Sequence, residues 1–280
     1  MKFRPYYLAF GLLAFACNSK TETKEEKAET VMDHFDSLAA DRISKYSEVT
    51  LSADLSTLKP YERKMLPLLI KAAQIMDDLF WQQTYGNKDS LLKSISNPVT
   101  RRYIEINYGP WDRLEGDEPI LKNVGTKPLG ANIYPKDITK EALEKSEIAD
   151  KTGLYSVIRK DAAGKLVSIP YHVIYKDQLT KAAGYLREAA ALSEDPAIKK
   201  YLELRAEALV TSNYKPSDMA WLDMKTNRLD IIIGPIETYE DKLINARTSF
   251  ESYVLLKDME RSKRLAHYAS FLGELQNGVP

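Results

Sequence analysis

The chain of 280 residues is poor in the side chains that most chemistries need. It has one cysteine and three histidines. A single cysteine, Cys17, excludes a disulfide framework and leaves no second thiol for a redox pair. The histidines, His34, His172 and His267, are followed by Phe, Val and Tyr, so none begins an H-E pair. Their separations also prevent any two from sharing one turn of a helix. Each reads as an ordinary side chain, with His34 and His267 exposed and His172 partly buried and hydrogen-bonded. No G-x-G-x-x-G, no G-x-x-x-x-G-K-[ST] and no G-x-S-x-G is present. These absences remove the usual dinucleotide, phosphate-loop and nucleophile-elbow signatures. Acidic clusters such as Glu115-Gly116-Asp117-Glu118 lack calcium-loop spacing and read as solvated surface. Formal net charge is zero, with 40 basic and 40 acidic residues, and no basic block points to nucleic acid.

Long apolar runs are also absent. The longest, Tyr6 to Ala16, follows Lys2 and Arg4 and is too short to cross a bilayer, but suits a signal h-region. The run ends Leu13-Ala14-Phe15-Ala16-Cys17, which is similar to a bacterial lipoprotein signal. Residues 1–16 are therefore expected to be a cleaved signal peptide, with Cys17 lipidated and residues 17–29 a polar Lys/Glu/Thr-rich tether. Cleavage removes two positive charges and leaves a formal charge of −2. The expected location is the bacterial cell envelope, with the protein held at a membrane by two or more acyl chains.

Residues 30–280 have enough apolar content, 44% over the chain, to bury a full core. The pattern predicts a helix at 31–46 and a long one from Pro60 to about Thr84. The latter has 3–4 spacing of Leu66, Leu69, Ile70, Ala73, Met76 and Phe80. Shorter helices are expected at 88–95 and 99–107. Residues 108–137 carry many Gly and Pro breaks and read as an ordered loop region, with Trp111 as its anchor on the core. A hairpin is predicted from 154–158 and 166–169 around Asp161-Ala162-Ala163-Gly164-Lys165. An antiparallel helix pair follows at 176–192 and 196–212, then a short helix at 216–225. A β-branched strand at 229–233 is expected to end at Gly234-Pro235. A strand at 249–256 and a helix at 259–274 complete a helix-dominant α+β fold with a small antiparallel sheet. No internal repeat is visible.

The most informative stretch is Ile233-Gly234-Pro235-Ile236-Glu237-Thr238-Tyr239-Glu240-Asp241. If the chain stays extended past Pro235, Glu237 and Tyr239 project to one face. A carboxylate beside a phenol suits an amine-binding site with a hydrogen-bond donor for a developing oxyanion. The stretch resembles the I-G-x-I-E-[ST]-Y-x-D segment of the dipeptidyl peptidase III family, which are zinc metallopeptidases. Phe250-Glu251-Ser252-Tyr253-Val254 is similar to the aromatic-rich stretch that follows it. Tyr108-Gly109-Pro110-Trp111-Asp112-Arg113-Leu114 is similar to the bacterial and plant branches. The resemblance covers about residues 30–280, the family's N-terminal half, and implies its non-metal lobe.

By that resemblance Glu237 holds the free N-terminal ammonium of a short peptide, and Tyr239 stabilises the tetrahedral intermediate once paired with a zinc lobe. The family's zinc ligands, H-E-x-x-G-H and a later Glu, lie downstream of the matched region and do not occur in these 280 residues. No metal or other cofactor is therefore expected in this chain, and zinc only in a complete family member. Three readings follow. One is the substrate-binding portion of such a peptidase, truncated or split and inactive alone, with the zinc-bearing polypeptide as its partner. The others are a non-catalytic peptide-binding lipoprotein and an anchored scaffold.

Overall fold

The computed structural model describes residues 34–279. The signal, Cys17 and tether expectations lie outside these residues. The chain opens with α1 (His34–Ile43) and a 3-10 turn at Leu55–Thr57, then α2 (Pro60–Thr84). Pro60 sits where a missing N–H costs nothing, and the Glu62 carboxylate accepts from Lys59 N at 2.7 Å. α2 buries Met65, Leu69, Ala72, Met76 and Leu79 completely. Of the expected face Leu69, Met76 and Phe80 are buried, while Leu66 and Ala73 are half-buried and Ile70 is exposed, so the core-facing stripe is rotated from the one predicted. Next come α3 (Lys88–Lys93) and α4 (Pro98–Asn107), each with an Asn N-cap, Asn87 and Asn97.

The segment read as an ordered loop is anchored as expected. It forms only the two-residue strands β1 (Trp111–Asp112) and β2 (Glu118–Pro119). Trp111 is buried and donates Nε1–H to Gly125 O at 2.9 Å. Two short helices escaped the sequence pattern, α5 (Lys140–Lys145) and α6 (Tyr171–Ile174). At six and four residues they are too short to show a helical period. Between them lies the expected hairpin, β3 (Ser156–Lys160) with β4 (Leu166–Pro170), register Ile158 to Ser168.

The helix pair is α7 (Lys176–Leu192) and α8 (Pro196–Thr211), with Asp195 capping the second. The small residues Ala182, Ala183, Ala189 and Ala190 are buried in α7, which packs on both α2 and α8. α9 (Lys215–Asp223) then turns over the next strand. β5 runs from Leu229 to Glu237, pairing antiparallel with β6 (Ser249–Leu256).

The strand is therefore longer than predicted, because Gly234-Pro235 does not end it. Gly234, at φ +130°, and Pro235 continue opposite Glu251 and Phe250, and a bulge between Pro235 and Glu237 re-aims the chain. Among the described residues the strands form three separate two-stranded pairs, not one sheet. The last predicted helix is also interrupted, at Ser270, into α10 (Met259–Ala269) and α11 (Leu272–Asn277). Neither buries any residue.

The main core gathers α2, α7, α8 and one face of β5. A smaller cluster, built on Trp81, Tyr103, Ile104 and Ile120, joins α4 and the β1–β2 loop to the far end of α2. Tyr103 Oη–H to Asp112 (2.7 Å) and Arg42 Nη1 to Asp112 (2.8 Å) fix that loop from two helices. The fold is helix-dominant α+β, as the sequence predicts.

Candidate functional site

The nine-residue stretch divides into a buried strand, an exposed tip and a buried anchor. Ile231, Ile233, Gly234 and Pro235 are buried, Glu237 and Tyr239 are exposed, and Glu240 and Asp241 are buried again. β5 ends at Glu237, and Tyr239 lies in the following turn. Tyr239 is thus positioned by a turn and not by strand alternation.

That turn is held by its last two residues. Asp241 is fully buried, and its carboxylate accepts five hydrogen bonds. The donors are Leu243 N and Ile244 N (3.2 Å each), Ala246 N (3.0 Å), Arg247 N (2.9 Å) and the Tyr134 hydroxyl (2.9 Å). Arg247, also fully buried, donates to Tyr134 Oη (2.9 Å), Lys151 O (3.0 Å) and Asp150 O (2.7 Å). The Asp241 carboxylate and the Arg247 guanidinium, joined through Tyr134 Oη, hold the turn as one network, in which Arg247 Nε alone of the guanidinium nitrogens has no partner among the described residues.

Glu240 is 2% exposed and pairs with Arg113 and with Lys127 Nζ at 3.1 Å. Lys127 also reaches Asp117 at 3.3 Å, and Lys242 pairs with Asp117. Burial works against the Asp117 carboxylate, yet Lys242 and Lys127 hold it below its ordinary value.

Tyr239 is 49% exposed and stands at the rim of a cavity of about 240 Å³. Phe80 and Asp77 of α2, Tyr108, and Glu251 and Tyr253 of β6 line the rest. Phe80 meets Tyr108 edge-on at 4.8 Å between ring centroids, and Tyr239 at 6.4 Å. Tyr108 donates to Asp77 at 2.6 Å, and the Arg113 guanidinium lies 5.4 Å above the Phe80 ring. Partial burial and the Glu251 carboxylate push the Tyr239 phenol well above its usual range. The phenol therefore stays an O–H donor throughout neutral pH. Glu237 does not line the cavity; it stands exposed at the end of β5, and adds only a little to the rise of the Tyr253 phenol that the Glu251 carboxylate chiefly causes.

The three segments that carry the family resemblance meet here. Tyr108 and Arg113 come from the first, Tyr239 and Glu240 from the second, and Glu251 and Tyr253 from the third. The first and second are joined by the Arg113–Glu240 pair across 127 residues of sequence. β6 is located in turn by the buried Gln83 of α2, which accepts from Phe250 N at 2.8 Å and donates to Thr248 O at 3.2 Å.

The described residues do not fit a zinc ion. His172 is half-buried with Nδ1 2.9 Å from Ser212 Oγ, while His34 and His267 are exposed on α1 and α10. No cluster of three or more His, Cys, Asp or Glu side chains poised for a metal occurs among the described residues.

The family described as peptidase family M49 matches residues 143–274, which contain Glu237 and Tyr239. The chain is 38% identical to the solved dipeptidyl peptidase III of Caldithrix abyssi, with a TM-score of 0.81, over 86% of this chain and 48% of that one. It is 32% identical to dipeptidyl-peptidase III from Corallococcus sp. strain EGB, TM-score 0.77, over 86% and 47%. A curated Arabidopsis thaliana protein named Nudix hydrolase 3 is 31% identical over 85% of this chain and 39% of its own length. This chain belongs to the dipeptidyl peptidase III family. It spans about half the length of those solved structures and about two fifths of the Arabidopsis relative.

Proposed function

We propose that this chain supplies the substrate-binding face of a dipeptidyl peptidase III-type zinc metallopeptidase. The observation that carries the reading is the convergence of the three resembling segments on the Tyr239 cavity. Glu237 takes the free N-terminal ammonium of a short peptide, and the peptide runs past the cavity rim. Tyr239, kept protonated, donates to the oxygen on which negative charge develops. The Asp241 and Glu240 networks fix the turn, so little of the binding free energy is spent on ordering it.

Hydrolysis needs the family's zinc-activated water, which these residues do not provide, so residues 1–280 bind and position but do not cleave. The zinc motif is supplied by polypeptide outside these residues. The exposed Leu265, Tyr268, Leu272 and Leu275 of α10 and α11 support a covering partner there. The proposal also places the chain at a bacterial membrane through lipid on Cys17. No helix among the described residues is long and apolar enough to cross a membrane.

A fluorescent tetrapeptide with a free N-terminus, titrated against its N-acetylated form, tests the binding role. Stronger binding of the free form is expected, and equal binding of both would remove Glu237 from the site.

A further inference from the structure

A second cavity lies against β5 and shares no lining residue with the Tyr239 cavity. Its volume is about 480 Å³, within the range of small-molecule sites. Sequence and backbone both build it. α8 ends at Ser212 in the left-handed region (φ 60°), which turns α9 back over the strand. Gly234 then lets the Tyr214 ring approach the strand closely. A Cβ at that position would lie 3.3 Å from the ring and 3.5 Å from Arg205 Nη1.

The walls are aromatic and apolar: Tyr155, Tyr214 and Trp221 face Ile232, Pro235 and Ile236. Tyr155 and Tyr214 pack at 4.7 Å between centroids. Trp221 is already satisfied, donating to Asp230 at 3.2 Å.

The polar group of this cavity is Arg205, which is 8% exposed. Its guanidinium is stacked between Tyr201 (5.5 Å) and Tyr214 (5.4 Å) and so cannot swing away. Only Nη2 is engaged with a carboxylate, that of Asp218 at 2.5 Å. Nε and the buried Tyr214 hydroxyl have no hydrogen-bond partner among the described residues. Asp218 is half-exposed at the mouth, so it is a weak counter-charge for a buried guanidinium. The polar cavity of about 590 Å³ beside Arg159 is different: that guanidinium already donates to Ile133 O, Ile158 O and Asn132 O.

We infer that the Arg205 cavity is a binding site for a small carboxylate with an aromatic or branched apolar body. The apolar body fills the space between Tyr155, Trp221 and Ile236, and the carboxylate takes the guanidinium edge that Asp218 leaves free. The ligand carboxylate then competes with Asp218 for one charge. Removing the Asp218 charge therefore tightens binding, whereas a merely structural Arg205–Asp218 pair predicts no such gain.

The experiment titrates 3-phenylpropionate and its uncharged amide, 3-phenylpropanamide, into the whole chain by isothermal calorimetry. A Kd of roughly 1 mM or tighter is expected for the carboxylate, with the amide weaker by about tenfold or more. Asp218→Asn should tighten the carboxylate severalfold and leave the amide unchanged, with the thermal midpoint reporting that the variant is folded. Equal binding of acid and amide, no gain in Asp218→Asn, or no saturation by about 10 mM would each overturn the assignment.

Discussion

Replacing Asp241 with alanine tests whether the turn that presents Tyr239 is held as described. The substitution removes the acceptor for four backbone N–H groups and the Tyr134 hydroxyl. It also cuts the link that runs from the carboxylate through the Tyr134 hydroxyl to the guanidinium of Arg247, which is 0% exposed. Each buried donor left unsatisfied costs roughly 1–3 kcal/mol if nothing relaxes. Relaxation and entering water make the simple sum too large. A net loss of roughly 3–5 kcal/mol, that of two or three donors left without a partner, is the better guide. At roughly 2–4 °C per kcal/mol for a domain of this size, the midpoint should fall by about 6–20 °C. Urea unfolding followed by circular dichroism, with calorimetry for the midpoint, gives both numbers. Asp241→Asn should lie between alanine and the parent, since an amide keeps one acceptor oxygen but presents N–H to N–H. A midpoint for Asp241→Ala within about 2 °C of the parent would refute the argument, because the five hydrogen bonds would then carry no net stability.

Three further outcomes are expected. Burial, chiefly, raises the phenols of Tyr175 and Tyr201 to about 12, and those of Tyr134, Tyr171 and Tyr214 are raised also. A phenol that holds its proton more tightly folded than unfolded contributes stability present below its unfolded value and lost as pH rises through the folded one. Urea midpoints should therefore be level up to about pH 10 and fall steadily toward pH 12; a midpoint rising in that window would contradict the burial. Gly234→Ala forces a side chain onto φ +130° and against Tyr214, and should cost about 1–3 kcal/mol in urea titrations; a neutral result would mean that β5 tolerates an L-residue there. Dialysed against zinc at neutral pH, the chain should retain less than one equivalent by elemental analysis. A stable 1:1 content would mean that the histidines meet in a way their positions on α1, α6 and α10 do not suggest.

The regular elements were legible because period and punctuation agreed. α2 follows from Pro60, its apolar spacing and Gly86, and α7 and α8 from their faces and the Asp195-Pro196 start. The β3–β4 hairpin follows from Asp161 to Lys165. The failures have physical causes. Gly234-Pro235 looks like a terminator, but Pro235 needs only a register position that asks no N–H of it, and β5 supplies one at the bulge. The last helix breaks at Ser270, and no residue of 259–277 is buried, so nothing in the apolar pattern could locate the break.

At the site, resemblance picked out Tyr239, but the residues that position it were overlooked. Glu240 and Asp241 are acidic residues after a strand, a pattern most often met on a solvated turn. Their partners, Arg113, Lys127, Tyr134 and Arg247, are scattered from 113 to 247, a separation that local spacing cannot reveal. The tertiary pairing of the Tyr108–Leu114 segment with the Ile233–Asp241 segment is the clearest case. Each segment carries its own likeness in sequence, and only the fold shows that one clamps the other.

The most direct test of the substrate-face claim is a cycle that pairs the peptide ammonium with Glu237. Free and N-acetylated forms of one tetrapeptide are titrated by calorimetry into the parent and into Glu237→Gln. Because Glu237 is exposed, its ion pair with the ammonium is worth at most about 1 kcal/mol, so a preference of about 3–5-fold for the free form is expected. That preference should vanish in Glu237→Gln while binding of the acetylated peptide stays constant. A preference unchanged by Glu237→Gln would place the ammonium elsewhere and contradict the account.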